Sequence, residues 1–128
     1  DLEEICSYYQ SEYNGITLCV GSLASNPDNN INLIVERLGN KINFLHLRNV
    51  ICDQSDKYSF KESNHLFGDI DFLYIIKKII SLNKTVYFRP DHGDLLFQEI
   101  NQKNINPGYS LFGRFRGLSE IRGIIYSI

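Results

Sequence analysis

Apolar residues recur along this chain with two different spacings, and the spacings predict which segments are helices and which are strands. Apolar positions three or four residues apart indicate helices, which we expect in residues 1–12, 31–38, 69–80 and 95–100. Residues 109–125 contain several glycines, so we expect them to be only partly helical. Short continuous apolar runs indicate buried strands, which we expect in residues 16–20, 42–47 and 85–89. Residues 51–68 are polar and show neither spacing, so they predict a long irregular loop.

Strands that alternate with helices predict an α/β fold with a parallel sheet, because βαβ crossovers join strands that run in one direction. Three strands alone leave two exposed edges and half a core. We therefore expect residues 1–128 to be the C-terminal βα units of one TIM (β/α)8 barrel domain, with the N-terminal strands absent from this chain. The chain has no methionine, which also favours a fragment of a longer protein.

Composition and charge narrow the class of protein. A hydrophobic content of 43% is typical of a globular domain. The formal net charge of −2 provides no basic field, so we expect no nucleic-acid or membrane partner. No apolar run approaches the roughly 20 residues that cross a bilayer. The three cysteines form no disulfide framework, and no secretory leader is seen, so we expect a cytoplasmic location.

Each predicted strand ends at a residue that can bind a metal ion. Cys19 lies at the end of the first strand, His46 at the end of the second, and Asp91 just after the third. The C-terminal ends of barrel strands share one face, so the sequence predicts a metal site that polarises a small oxygenated substrate. Taken singly, the three residues are better explained as a buried thiol, a core histidine and a helix cap. Their shared placement favours function.

Five short strings and one loop together resemble the mannonate dehydratase family. The strings are CVGS (19–22), HLRNV (46–50), RPDHG (89–93), NPGYS (106–110) and GRFRGLSEIRG (113–123). The loop, SFKESNHLFGDID (59–71), matches the family in position and character. These segments follow in the family's order and cover nearly the whole chain.

The resemblance implies a divalent-metal lyase on a xylose-isomerase-like TIM barrel. Such an enzyme removes water from D-mannonate to give 2-keto-3-deoxy-D-gluconate in glucuronate catabolism. By the family's pattern, Cys19, His46 and Asp91 would bind Mn²⁺ or Fe²⁺. A further histidine ligand would come from an earlier strand that this chain lacks. The missing N-terminal half of the barrel, or a second copy in a homo-oligomer, is the protein partner we expect.

The resemblance also implies roles for residues around the metal. His92 and Tyr109 match positions tied to proton transfer, with the direction of transfer left open. Arg48, Asn49 and His65 match positions that line the sugar acid. These residue types suit the reaction, because a leaving hydroxyl needs a general acid and an arginine fork can hold a carboxylate. For His65 and its neighbour Glu62, which lie in the polar loop, exposure to solvent is the usual alternative.

Two other functions are compatible with the sequence. The chain could be a non-catalytic, truncated remnant that keeps the motifs without completing the site. It could also belong to another divalent-metal sugar-processing barrel such as a sugar isomerase, or to a DNA-repair phosphoesterase, although the acidic charge balance argues against action on DNA.

Overall fold

The computed structural model of the chain describes residues 2–106 and 108–128. Asp1 and Pro107, the second of which lies in the NPGYS string, are outside the described residues. The helices are α1 (Leu2–Ser7), α2 (Val20–Ala24), α3 (Ile31–Leu38), α4 (Phe72–Ser81) and α5 (Leu111–Tyr126). The strands are β1 (Ile16–Cys19), β2 (Ile42–Leu47), β3 (Asn49–Cys52), β4 (Phe60–Ser63) and β5 (Tyr87–Pro90). Short 3-10 helices cover Gly39–Lys41 and Phe97–Asn101.

A parallel sheet organises the fold. Within the described residues it contains β1, β2 and β5 in that order. Cys19 pairs with His46 across the first pair of strands, and His46 pairs with Arg89 across the second. This register brings the C-terminal ends of the strands to the same edge. The predicted alternation of parallel strands with helices is therefore confirmed for this part of the chain.

The hydrophobic core lies between one face of the sheet and helices α3, α4 and α5. Its most deeply buried side chains, each at most 3% exposed, include Leu18, Leu45, Leu47, Val35, Ile75 and Ile121. Successive strand residues point to opposite faces, so Cys19, Phe44 and His46 lie on the face that these helices do not cover. Those three residues are half-buried. One face of the sheet thus stabilises the fold and the other carries the candidate site.

Side-chain caps fix where the longer helices begin. In each of α3, α4 and α5 the residue before the helix accepts a hydrogen bond from a backbone N–H of the first turn. The pairs are Asn30 with Leu33 at 3.0 Å, Asp71 with Tyr74 at 3.0 Å and Ser110 with Gly113 at 2.7 Å.

Among the helices of the described residues, none is long and apolar enough to cross a membrane.

The segment 51–68 is not the irregular loop that its polarity predicts. Strands β3 and β4 pair in an antiparallel hairpin, in which Asn49 pairs with Ser63 and Cys52 with Phe60. The sequence pattern misses the hairpin because each strand has only four residues and β4 contains the charged pair Lys61 and Glu62. Pairing between the two strands satisfies the backbone here without requiring an apolar repeat.

One predicted strand and two predicted helical segments also needed correction. The first strand ends one residue earlier than expected, because α2 begins directly at Val20 and buries it. Of the helix expected in residues 95–100, the structure shows only the 3-10 helix Phe97–Asn101. The last segment is a continuous helix, α5, although several glycines interrupt its apolar pattern.

The glycines of α5 allow the helix to lie close to the rest of the fold. Gly113, Gly117 and Ile121 form its buried stripe. A Cβ atom at Gly117 would lie 2.2 Å from Cε1 of His65, which is far too close for two carbon atoms. Glycine is therefore required at Gly117 for the His65 ring to pack against the helix.

Candidate active site

Cys19, His46 and Asp91 meet at the C-terminal edge of the parallel sheet. Among the described residues, these three offer one sulfur, one ring nitrogen and one carboxylate oxygen that all lie within 4.8 Å of one another. His46 Nδ1 is 3.5 Å from Asp91 Oδ1, and Cys19 Sγ is 3.7 Å from Asp91 Oδ2. All three residues are half-buried. The convergence predicted from the strand ends is present in the structure.

The strand register explains this convergence. Cys19 is the last residue of β1, and it pairs directly with His46 near the end of β2. Asp91 follows β5, and its backbone N–H donates to the Leu47 carbonyl at 3.3 Å, which holds it beside the end of β2. Arg89 donates from Nη2 to Asp91 Oδ1 at 2.6 Å. Backbone pairing thus places the three candidate ligands.

The donor set fits a divalent metal ion. Metal–ligand bonds of about 2.0–2.3 Å place neighbouring ligand atoms about 3–4 Å apart, and the two distances to Asp91 fall in this range. Thiolate, imidazole and carboxylate bind several divalent ions, so the donor types do not select one metal.

One further side chain contacts the candidate ligand Cys19 directly, and a second reaches Cys19 through the first. Ser22 donates its hydroxyl to Cys19 Sγ at 3.0 Å, and Arg48 Nη1 lies 3.4 Å from the same hydroxyl oxygen. A hydroxyl that donates to the sulfur orients the Cys19 side chain within the candidate site. Ser22 belongs to the CVGS string, but the sequence alone gave it no role.

His92 lies next to the candidate ligand Asp91, and Tyr109 lies against His92. His92 Nδ1 is 3.0 Å from Glu62 Oε1, while its Nε2 is 3.8 Å from Asp91 Oδ2. The ring of Tyr109 lies over that of His92, with 4.7 Å between their centroids. Tyr109 is 57% exposed, so its phenol is accessible to a bound molecule. The structure therefore brings the predicted proton-transfer residues together, and their role remains a prediction.

The guanidinium of Arg48 is engaged by Glu62. Nε donates to both carboxylate oxygens at 3.1 Å, and Nη2 contacts Oε1 as well. Burial by itself would lower the pKa of Arg48, but the hydrogen bond and negative charge of Glu62 outweigh it and raise that pKa. The fork predicted to hold a sugar acid thus already holds a carboxylate of this chain. A substrate contact for Arg48 remains a prediction.

Asn49 and His65 lie in the interior, although both were predicted to line the sugar acid. Asn49 is 1% exposed and its amide bonds only to backbone. Its Nδ2 donates to the carbonyls of His65 and Ile70 at 3.1 and 3.2 Å. Its Oδ1 accepts from the N–H groups of Val50 and Ile70, both at 3.0 Å. These bonds leave the amide no direction toward a substrate, so we interpret Asn49 as part of the framework.

His65 is a core histidine. It is 2% exposed, and burial, which outweighs its other interactions, lowers its pKa below the ordinary 6.5. The neutral ring lies 2.7 Å from the Leu47 carbonyl through Nε2, which must therefore carry the proton. Its Nδ1 has no hydrogen-bond partner among the described residues. His65 is therefore buried, whereas the sequence predicted that it would line the sugar acid or be exposed to solvent.

Glu62 is the functional candidate that sequence reasoning missed. Its side chain is only 15% exposed, because β4 directs it toward Arg48 and His92. The signal in the sequence was weak, since a carboxylate in a polar segment is normally solvated. Only the pairing of β3 with β4 shows where it lies.

The sheet and the site together define an α/β protein with a candidate metal centre at its strand ends. The family model described as "D-mannonate dehydratase (UxuA)" matches residues 1–128. The chain belongs to this family, as the sequence strings predicted.

Individual relatives agree. The chain is 38% identical over 137 residues to mannonate dehydratase 2 of Agrobacterium fabrum, with 100% of this chain and 34% of the relative covered. It is 35% identical over 138 residues to the mannonate dehydratase of Saccharophagus degradans, with 100% and 34% covered. The crystal structure of mannonate dehydratase from Streptococcus suis serotype 2 superposes with a TM-score of 0.85 at 35% identity, covering 98% of this chain and 36% of that one. The chain thus spans about one third of the length of these relatives.

Proposed function

We propose that residues 1–128 form the C-terminal part of a mannonate dehydratase, a hydro-lyase that converts D-mannonate to 2-keto-3-deoxy-D-gluconate in glucuronate catabolism. The observation that carries this proposal is the convergence of Cys19, His46 and Asp91 beside His92. We further propose that the sheet is part of a closed TIM barrel. Within the described residues, β1 and β5 lie at the edges of the sheet, where a barrel would add further strands.

The proposed metal ligands are Cys19, His46 and Asp91, and the proposed ion is Mn²⁺ or Fe²⁺. When bound there, the ion would act as a Lewis acid that stabilises negative charge developing on the substrate carboxylate. Ser22 and Arg89 support the site by donating hydrogen bonds to Cys19 and Asp91.

The proposed proton-transfer pair is His92 and Tyr109. One of them removes the proton from C2, and the electron pair of that bond forms the double bond between C2 and C3. The other donates a proton to the C3 hydroxyl, which leaves as water. The resulting enol then tautomerises to the 2-keto acid. Contact between the two rings places both groups at one side of the candidate metal centre.

Membership of the family over the whole chain argues against the sugar isomerase and phosphoesterase alternatives. The remnant alternative predicts that this chain contributes no activity even when the rest of a barrel is supplied. A direct test is a joined protein, in which the N-terminal part of the Streptococcus suis relative precedes residues 1–128.

We expect the joined protein with Mn²⁺ to form 2-keto-3-deoxy-D-gluconate from D-mannonate. Cys19→Ser should remove both metal binding and turnover. Cys52→Ser is the matched control, because Cys52 is also half-buried but bonds to the Ala24 carbonyl rather than to the candidate ligands. A joined protein that binds Mn²⁺ and yields no product would overturn the proposed function.

A further inference from the structure

Glu62 connects two residues of the candidate site that are distant in sequence. On one side it accepts the guanidinium fork of Arg48, and on the other it lies 3.0 Å from His92 Nδ1. The three side chains are only 11% to 15% exposed. A carboxylate held from one side by an arginine has little freedom to rotate. Glu62 therefore presents a fixed acceptor to the histidine.

This contact determines which nitrogen of His92 carries the proton. An ionised carboxylate only accepts hydrogen bonds, so Nδ1 of His92 must be the donor toward Glu62. In the neutral ring, Nε2 is then left with its lone pair. Nε2 is the nitrogen that lies 3.8 Å from Asp91 Oδ2, on the side of the candidate metal centre. Glu62 thus selects the tautomer in which the free base faces the site.

The backbone at Gly108 makes room for the contact. Gly108 has φ +87°, a conformation that favours glycine. A Cβ atom at this position would lie 2.6 Å from His92 Nδ1 and 3.2 Å from Glu62 Cδ. Glycine at this position thus lets the backbone lie against the His92–Glu62 pair, because the Cβ atom of any other residue would collide with His92.

We propose that Glu62 is a positioning residue for His92, which it holds in the Nδ1–H tautomer with Nε2 free toward the metal site. Arg48 orients Glu62 and reaches Cys19 through Ser22, so one arginine braces both the candidate ligand and the candidate base. The effect on catalysis rests on the proposed function, whereas the tautomer can be measured without metal or substrate.

The test uses the ¹⁵N-histidine-labelled chain, which contains only three histidines. Two-bond ¹⁵N–¹H correlations identify the tautomer of each ring, and His92→Asn assigns the His92 signals. We expect the Nδ1–H form at His92 and the Nε2–H form at His65. An Nε2–H form at His92 in the unsubstituted chain would overturn the proposal without the need for any variant.

Glu62→Gln is the matched substitution. Arg48 can only donate, so it should take the amide oxygen and leave the amide NH₂ to face His92 Nδ1. We expect the tautomer to invert to Nε2–H. Glu36→Gln is the control, because Glu36 accepts from the Tyr74 hydroxyl on the helical side and should leave His92 unchanged. An unchanged tautomer in folded Glu62→Gln would contradict the proposal.

The same variants in the joined protein report on catalysis. We expect Glu62→Gln to lower kcat by about 10- to 100-fold, with KM for D-mannonate and Mn²⁺ affinity within about two-fold of the unsubstituted protein. A general loss of structure would instead raise KM and weaken Mn²⁺ binding together, and that result would count against positioning. If the unsubstituted joined protein is inactive, the proposed function fails while the tautomer result stands.

Discussion

Two groups of polar residues lie near the C-terminal ends of the strands, and they differ in what their polar atoms face. The open cluster, Cys19, His46 and Asp91, is half-buried, and its members face one another across 3.5 to 3.7 Å. The closed cluster, Asn49 and His65, is at most 2% exposed and bonds chiefly to backbone groups. Each cluster contains one of the chain's histidines.

The comparison shows how site residues differ from framework residues of similar chemistry. Backbone partners bind every polar side-chain atom of the closed cluster except His65 Nδ1, so this cluster contributes to the fold without a ligand. In the open cluster, potential ligand atoms are gathered on the uncovered face of the sheet, where their grouping contributes little to stability. The proposed divalent cation would account for such a grouping. Function should therefore depend on the open cluster and stability on the closed one.

The largest expected effect is a loss of turnover on replacing His92, which lies at the edge of the open cluster. His92→Asn in the joined protein should lower kcat by about 10²- to 10⁴-fold, because it removes a group that transfers a proton. Mn²⁺ binding should persist, since His92 is not among the proposed ligands. Steady-state assays and a metal titration check both parts. Turnover that survives this substitution would remove His92 from the proton-transfer pair.

The next largest effect is on the free energy of unfolding, which should fall more when the closed cluster is changed than when the open cluster is changed. Asn49→Ala should lower the free energy of unfolding by about 2–4 kcal/mol, because four buried backbone bonds lose their partner. His46→Ala should change it by less than about 1 kcal/mol, since the half-buried ring contacts the Asp91 carboxylate and, within residues 2–106 and 108–128, bonds to no backbone group. Urea unfolding monitored by circular dichroism measures both. Equal losses of unfolding free energy in the two variants would contradict the proposed difference between the clusters.

The packing of the closed cluster against α5 can be tested with two glycines of the same helix. Gly117→Ala should destabilise the protein by about 1–3 kcal/mol, because its Cβ atom would overlap the buried His65 ring. Gly123→Ala is the control. Apart from its chain neighbours and the backbone of its own helix, no atom of the described residues lies within 4 Å of its Cβ position, so the higher helix propensity of alanine should raise the free energy of unfolding by at most about 1 kcal/mol. Thermal unfolding of both variants decides the matter, and a Gly117→Ala variant as stable as the parent would contradict the packing.

The smallest effect is a pH dependence from His65. Its pKa is lower in the folded protein than the ordinary 6.5, so unfolding takes up a proton below that pH. The stability due to the neutral buried ring is therefore complete above pH 6.5 and decreases as pH falls toward the folded-state pKa, by at most about 1.4 kcal/mol per pH unit. Urea unfolding from pH 7.5 to 5.5 should show this slope in the parent and a smaller one in His65→Asn. Parallel slopes would mean that His65 is not the group responsible.

The strand pattern predicted most of the open cluster. Apolar runs located β1, β2 and β5, and the rule that parallel strands end at one edge was sufficient to bring Cys19, His46 and Asp91 together. The resemblance to the family then added His92 and Tyr109, which the structure places in contact. Cys19, His46 and Asp91 were predictable from the pattern because backbone pairing determines their positions, whereas His92 and Tyr109 required the resemblance.

The closed cluster and Glu62 were not predictable in the same way. Asn49, Glu62 and His65 belong to the hairpin region and the turn that follows it, where short polar strands carry no apolar period. The burial of His65 depends on α5, whose Gly117 accepts the His65 ring from more than fifty positions away. Polarity suggested exposure, whereas the three-dimensional packing buries Asn49 and His65 and sets Glu62 beside His92.

The most direct test of the account is a crystal structure of the joined protein grown with Mn²⁺, with data recorded on both sides of the manganese absorption edge. We predict a single anomalous peak within about 2.0–2.4 Å of Cys19 Sγ, His46 Nδ1 or Nε2, and a carboxylate oxygen of Asp91. A peak that contacts only one of these residues, or no peak at this edge of the sheet, would contradict the account.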